Sequence, residues 1–199
     1  MQVALQQQDY VLFSEELKKY YPQIYNELSE ILSHHNVRHG VLKGTADYWC
    51  RDYMPIQVDY DKFVQFRYHP DYLKGYRDYE TPTEVSLELA KKLTSASIET
   101  SPIIADGGNF TFASIKRGRG YTPVVVMTEK VFFENSEVAG ENLVYQLEKL
   151  FPKHKLLFLP WDRGDACGHT DGILHAVGPN KLLVNLKVYP DKIAARMRE

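Results

Sequence analysis

From one end to the other, the sequence alternates between short apolar runs closed by turn-forming residues and longer stretches whose apolar side chains recur at helical spacing. Val37 to Leu42, Ile56 to Tyr60, Phe63 to Tyr68, Ile103 to Ala105, Phe110 to Phe112, Val124 to Met127 and Leu156 to Leu159 read as strands. Ser14 to His35, Thr81 to about Leu93 and Glu141 to Phe151 read as helices. Such interleaving predicts an α/β fold. The strand-strand-helix-strand order hints at internal structural repetition, although no sequence repeat stands out.

Local chemistry supports these boundaries. In the first helical stretch Leu17, Tyr21, Ile24, Leu28, Ile31 and Leu32 follow spacings of three and four, and Pro22 starts the main helix or kinks it. Thr81, Pro82 and Glu84 form a helix start in which Thr81 caps and Glu84 answers three residues on. Asp59 to Lys62 suits a reversal between two strands, and Gly178-Pro179-Asn180 another, between Ile173 to Val177 and Leu182 to Leu186. Tyr189 to Glu199 begins like a helix, with Pro190 in its first turn, and reads as cut inside or just after an element.

A chain of 199 residues, 44% hydrophobic and 25% charged, is sized and composed for one domain, 1–199, that folds in water without a membrane span. The formal net charge of -2 offers no footprint for nucleic acid, and the basic run Lys116 to Arg119 is short enough to be a solvated loop. Met1 to Gln8 places no positive charge ahead of an apolar run, so no secretory signal is expected and the cytoplasm is the expected compartment. Cys50 and Cys167, the 2 cysteines, are far apart and form no Cys-x-x-Cys pair, so neither a zinc site nor a redox motif is signalled.

Three polar loops at strand ends concentrate catalytic residue types: Trp49-Cys50-Arg51-Asp52, Asp106-Gly107-Gly108-Asn109 and Gly168-His169-Thr170-Asp171-Gly172. Each alone has a bland explanation. Asp52 could pair with Arg51 or a helix end, Asp106 could begin a turn, and His169 could be a satisfied structural histidine.

Together, in this order, the loops resemble the Trp-x-Arg-Asp, acidic-Gly-Gly-Asn and Gly-His-x-Asp motifs of agmatine deiminases and bacterial peptidylarginine deiminase-type proteins, of the pentein superfamily. Val126 to Val131, followed by Glu134-Asn135, is similar to the segment between those motifs, and the resemblance spans roughly Val37 to Val188. It implies an α/β-propeller: a ring of strand-strand-helix-strand modules with the substrate in a central channel. The family's nucleophilic cysteine lies in a glycine-rich motif near the C-terminus. Nothing after Asp171 resembles that motif, so the resemblance implies an incomplete deiminase domain lacking its C-terminal modules.

The implied activity is that of a C–N hydrolase acting on linear amidines, converting a guanidine group to a ureido group with release of ammonia. Agmatine, giving N-carbamoylputrescine, is the first candidate; peptidylarginine or arginine is the alternative, as is an inert guanidinium-binding fragment. A guanidinium is planar, permanently charged and rich in donors, so its site needs carboxylates that accept paired hydrogen bonds. The resemblance gives that duty to Asp52 and Asp171, with Trp49 lining the channel. It gives His169 both proton steps and Asp106 the task of orienting His169 and favouring its charged form.

No metal or organic cofactor is implied, although His169, Asp171 and Asp106 are residue types that also ligate metals. Arg51 could pair with Asp47 or Asp165 rather than meet a cationic substrate, and these three are left outside the catalytic set. Cys50 adjoins Arg51, which would lower a thiol pKa, and Cys167 lies two residues from His169, but adjacency in sequence does not establish attack geometry and both thiols are read first as structural packing. The implied partner is a small guanidine substrate, with no nucleic acid or membrane; an incomplete ring would expose apolar edges, through which a homo-oligomer could form.

Overall fold

A computed structural model describes residues 10–185. The readings of Met1 to Gln8, Leu186 and Tyr189 to Glu199 lie outside the described residues. The secondary structure is mixed α/β, in ten strands, six α-helices and four 3-10 turns among the described residues.

The N-terminal part is β1 (Tyr10–Ser14), α1 (Glu15–Tyr20), α2 (Pro22–His34) and β2 (Arg38–Leu42), with β1 and β2 parallel. Ser14 starts α1 as a cap, its hydroxyl accepting from the Glu16 N–H at 3.0 Å. Pro22 occupies the first turn of α2, so the proline divides the helical stretch in two. The apolar stripe of α2 faces outward: Ile24, Leu28 and Ile31 are exposed.

Two three-stranded sheets follow. The first joins β3 (Ile56–Asp59), β4 (Lys62–Arg67) and β5 (Ser97–Ile104), with α4 (Thr83–Leu93) between β4 and β5. A helical turn, α3 (Cys50–Tyr53), precedes it. The second joins β6 (Thr111–Arg117), β7 (Gly120–Thr128) and β8 (Lys155–Leu159), with α5 (Lys130–Glu134) and α6 (Gly140–Leu150) between β7 and β8. Each sheet pairs an antiparallel hairpin with a parallel third strand reached through helix. A hairpin of β9 (Leu174–Gly178) and β10 (Lys181–Val184) completes the described residues, which form no closed barrel.

The run Val124 to Met127 explains how these sheets share a core. Val125 and Met127 pack with Val64, Phe66, Ile103, Phe110, Leu147 and Phe151, whereas Val124 and Val126 pack with Leu159, Ile173 and Leu174. Alternate side chains of one strand enter two clusters, so β7 is buried on both faces and its sequence shows no polar alternation. In the larger cluster Phe66 stacks on Phe110 with ring centroids 4.9 Å apart.

The expected cap of α4 is corrected. Pro82, not Thr81, holds the cap position, with no side-chain hydrogen bond there. The fully buried Thr81 hydroxyl instead accepts from the Ala46 N–H at 2.9 Å. The first polar loop is likewise a helical turn from Cys50, not an open loop.

Candidate active site

Three short helical segments meet at one point. In the first, the Asp52 N–H donates to the Trp49 carbonyl at 3.0 Å, and the buried Tyr53 anchors the turn by donating to the Asp47 carbonyl at 3.1 Å. The second is the 3-10 turn Gly107–Asn109 after β5, with Asp106 as its cap residue. The third is the 3-10 turn Thr170–Gly172 before β9, capped by His169. Thr111 at the start of β6 donates to the buried Thr170 hydroxyl at 3.0 Å, tying the third turn to the second sheet.

The diglycine permits the approach. Gly107 and Gly108 do not have positive φ, so they are not needed for left-handed backbone. A Cβ on Gly107 would overlap the Arg51 carbonyl, and one on Gly108 would overlap the His169 ring and the Asp52 carboxylate. The Gly108 N–H then donates to Asp52 Oδ1 at 2.9 Å, and Asn109 accepts from the Thr128 N–H at 2.8 Å.

His169 stands between two carboxylates. Its Nε2 is 3.1 Å from Asp106 Oδ2, and its Nδ1 is 3.8 Å from Asp52 Oδ1. Tyr72 packs edge-on against the ring, with centroids 6.1 Å apart. Asp106 is 2% exposed, and its Oδ1 is buried without a protein donor. Burial alone would push the His169 pKa down. The Asp106 hydrogen bond and the charges of Asp52, Asp106 and Asp171 outweigh it and hold the pKa above the ordinary value. Asp52 is raised to about 6, by burial first, with His169 opposing and Asp106 adding to the rise.

The structure therefore brings Asp52, Asp106, His169 and Asp171 into one cluster. Asp171 joins through Arg51, whose Nε lies 3.2 Å from Asp171 Oδ2 while Nη2 donates to the Phe110 carbonyl at 2.8 Å. Asp171, not Asp47 or Asp165, is thus the carboxylate partner of Arg51; those two accept the Trp49 and Cys167 backbone N–H groups instead. Three carboxylates face one imidazole and one guanidinium, a surplus of acceptors suited to a cation. Trp49 is 62% exposed, and its ring packs against Tyr48, 5.1 Å between centroids.

A match to the family model described as Porphyromonas-type peptidyl-arginine deiminase extends over residues 4–199. The chain belongs to that family. No curated protein matches the chain significantly. Among solved structures, the fold of this deiminase-family chain is similar to C. jejuni agmatine deiminase at 18% identity and TM-score 0.64, over 88% of this chain and 60% of that one. A cysteine-to-serine variant of the C. jejuni enzyme with substrate bound matches at 16% identity and TM-score 0.65, over 96% of this chain and 67% of that one. Agmatine deiminase of Enterococcus faecalis matches at 15% identity and TM-score 0.64, over 95% of this chain and 63% of that one. The chain thus spans at most about two thirds of the length of these three structures.

The Cys50 thiol is not activated by its neighbour Arg51: burial pushes its pKa up, while Tyr53 donates to its sulfur at 3.4 Å. Cys167 is also raised, by burial and then by Asp165. Neither cysteine forms a disulfide. Among the described residues no three His, Cys, Asp or Glu side chains are grouped to hold a metal ion. No helix of the described residues is long and apolar enough to cross a membrane.

Sequence reasoning missed Lys130 and Tyr72. Lys130 and Glu134 are spaced i,i+4 around the apolar Val131-Phe132-Phe133, an arrangement that could have marked a charged pair turned inward.

Proposed function

We propose that this chain binds the guanidinium of a small cationic substrate and carries the acid–base residues of a deiminase reaction, with agmatine the preferred substrate and peptidyl or free arginine the alternative. The observation that carries this reading is the placement of His169 between Asp106 and Asp52, in a cluster with more carboxylates than cations. The parts sit on two units of strand-strand-helix-strand connectivity, which in this reading are modules of a pentein-type propeller.

Asp52 accepts N–H bonds from one edge of the guanidinium, and Asp171 from another through the oxygen that Arg51 leaves free. Held charged by Asp106, His169 is placed to donate a proton as ammonia departs and to take one back from the attacking water, where a thiolate supplies the C–S bond of the covalent intermediate and leaves again as that bond breaks. The balance is guanidinium plus water giving a ureido group and ammonium. The covalent step needs a thiolate. Both thiols of the chain are displaced away from ionisation, so neither Cys50 nor Cys167 is assigned as nucleophile. That observation favours a second reading of the chain by itself, binding without turnover.

Calorimetry with agmatine and with putrescine, which lacks the guanidine, tests the binding role. Agmatine is expected to bind and putrescine not, with Asp52→Asn weakening agmatine by at least about tenfold, as loss of one charge-assisted contact implies. Equal binding of both amines, or of neither, would sink the reading. Ammonia release measured on the same samples separates turnover from binding alone.

A further inference from the structure

Behind His169 lies a buried charge that the proposed reaction does not use. The Lys130 side chain is 1% exposed. Its Nζ lies 2.8 Å from Asp71 Oδ1 and 3.6 Å from Glu134 Oε1, and donates to the Ala166 carbonyl at 2.6 Å. It also stands over two rings, Tyr72 at 4.7 Å and Trp161 at 5.6 Å from their centroids. An ammonium withdrawn from water this far is costly, and it is retained where its partners compensate it and its removal would leave a buried anion.

Two of those partners, Ala166 and Asp71, lie on segments that lead to the histidine. Ala166 lies three residues before His169, and the intervening Gly168 has φ +60, with the Lys130 stem and the Trp161 ring filling the space where a side chain would stand. Thr128, two residues before Lys130, holds the same segment by donating to the Gly168 carbonyl at 2.6 Å. Asp71 adjoins Tyr72, whose ring packs edge-on against His169. Glu134 is buried, and its pKa is raised by burial first and by the Asp106 charge next.

We propose that Lys130 is a positioning residue for His169: its ammonium joins the Ala166–Gly168 backbone to the Asp71-Tyr72 segment and thereby holds the imidazole against Asp106. The proposal rests on the assignment of His169 to proton transfer, but its primary test does not require substrate.

The test follows the His169 imidazole by NMR through a pH titration in the wild-type chain and in Lys130→Met. Removing a nearby cation acts directly to raise a histidine pKa, whereas losing the Asp106 contact lowers it, because burial then acts unopposed. A downward shift in a folded Lys130→Met chain is therefore the expected result. Lys130→Gln, which keeps a donor for Ala166 without the charge, is expected to shift His169 in the same direction but less.

Leu147→Ala, in the apolar core, loosens the fold while removing none of the Lys130 contacts, and is expected to leave the His169 titration unchanged. An unmoved or raised His169 pKa in both lysine variants overturns the proposal, as does an equal fall in Leu147→Ala. Failure of both lysine variants to fold would make Lys130 a stability residue and also overturn it. Agmatine binding, expected to weaken about tenfold in Lys130→Met, is read separately. A His169 shift in a chain that binds no agmatine would keep the positioning role and reject the proposed function.

Discussion

At the scale of single residues, Gly108 decides whether the cluster can assemble. Any side chain there would take the space of the His169 ring and the Asp52 carboxylate together. Gly108→Ala is expected to destabilise the chain by about 1–3 kcal/mol, the usual cost of forcing atoms into a packed region, and to abolish agmatine binding. Gly172→Ala is the matched control, since a Cβ there meets nothing within 4 Å. Urea midpoints and calorimetry on both variants check this. A Gly108→Ala chain that binds like the wild type would mean that the three turns can spread apart at little cost.

At the scale of elements, Thr81 shows how a sequence signal can be correct in position and wrong in cause. The helix begins where the Thr-Pro-Thr-Glu pattern places it, yet the Thr81 hydroxyl serves the Ala46 N–H, across the chain from the helix it was expected to cap. Thr81→Ala is expected to cost about 1–2 kcal/mol, the price of an unpaired backbone donor, with helix content by circular dichroism unchanged. Lost helicity with little loss of stability would restore the capping role.

The longer elements were legible because their periodicity extends over several turns or strand pairs, as in Glu141 to Phe151 and Val124 to Met127. The turns at Cys50–Tyr53 and Lys130–Glu134 are too short for a period to emerge. The residue types of the cluster were legible from motif order, whereas the partners of Arg51 and Lys130 were not. Those contacts join segments distant in sequence, and a charged side chain is ordinarily read as facing water.

At the scale of the whole molecule, the buried acidic groups act on stability in one direction. Burial raises Asp52 and Asp47 to about 6 and also raises Glu134, so each binds its proton more tightly in the folded chain than in the unfolded one. As pH rises from about 4 through the folded values, the unfolded chain releases these protons first, and stability is lost over that interval. His169 adds the same sign: its folded pKa is raised, so its contribution is fully present below the unfolded value and disappears as pH rises through the folded one. The chain is therefore expected to be more stable at pH 5.0 than at pH 8.5, by on the order of 2 kcal/mol. Urea unfolding at the two pH values measures this directly, and Asp52→Asn isolates one contributor. That variant is expected to be more stable than the wild type at pH 8.5, where the carboxylate is buried as an ion, and to lose the advantage below pH 5, where the wild-type group is protonated. A wild-type chain that is more stable at the higher pH would mean that Asp52, Asp47 and Glu134 are paired in solution more fully than their surroundings show, and that the cluster is not held open for a cation.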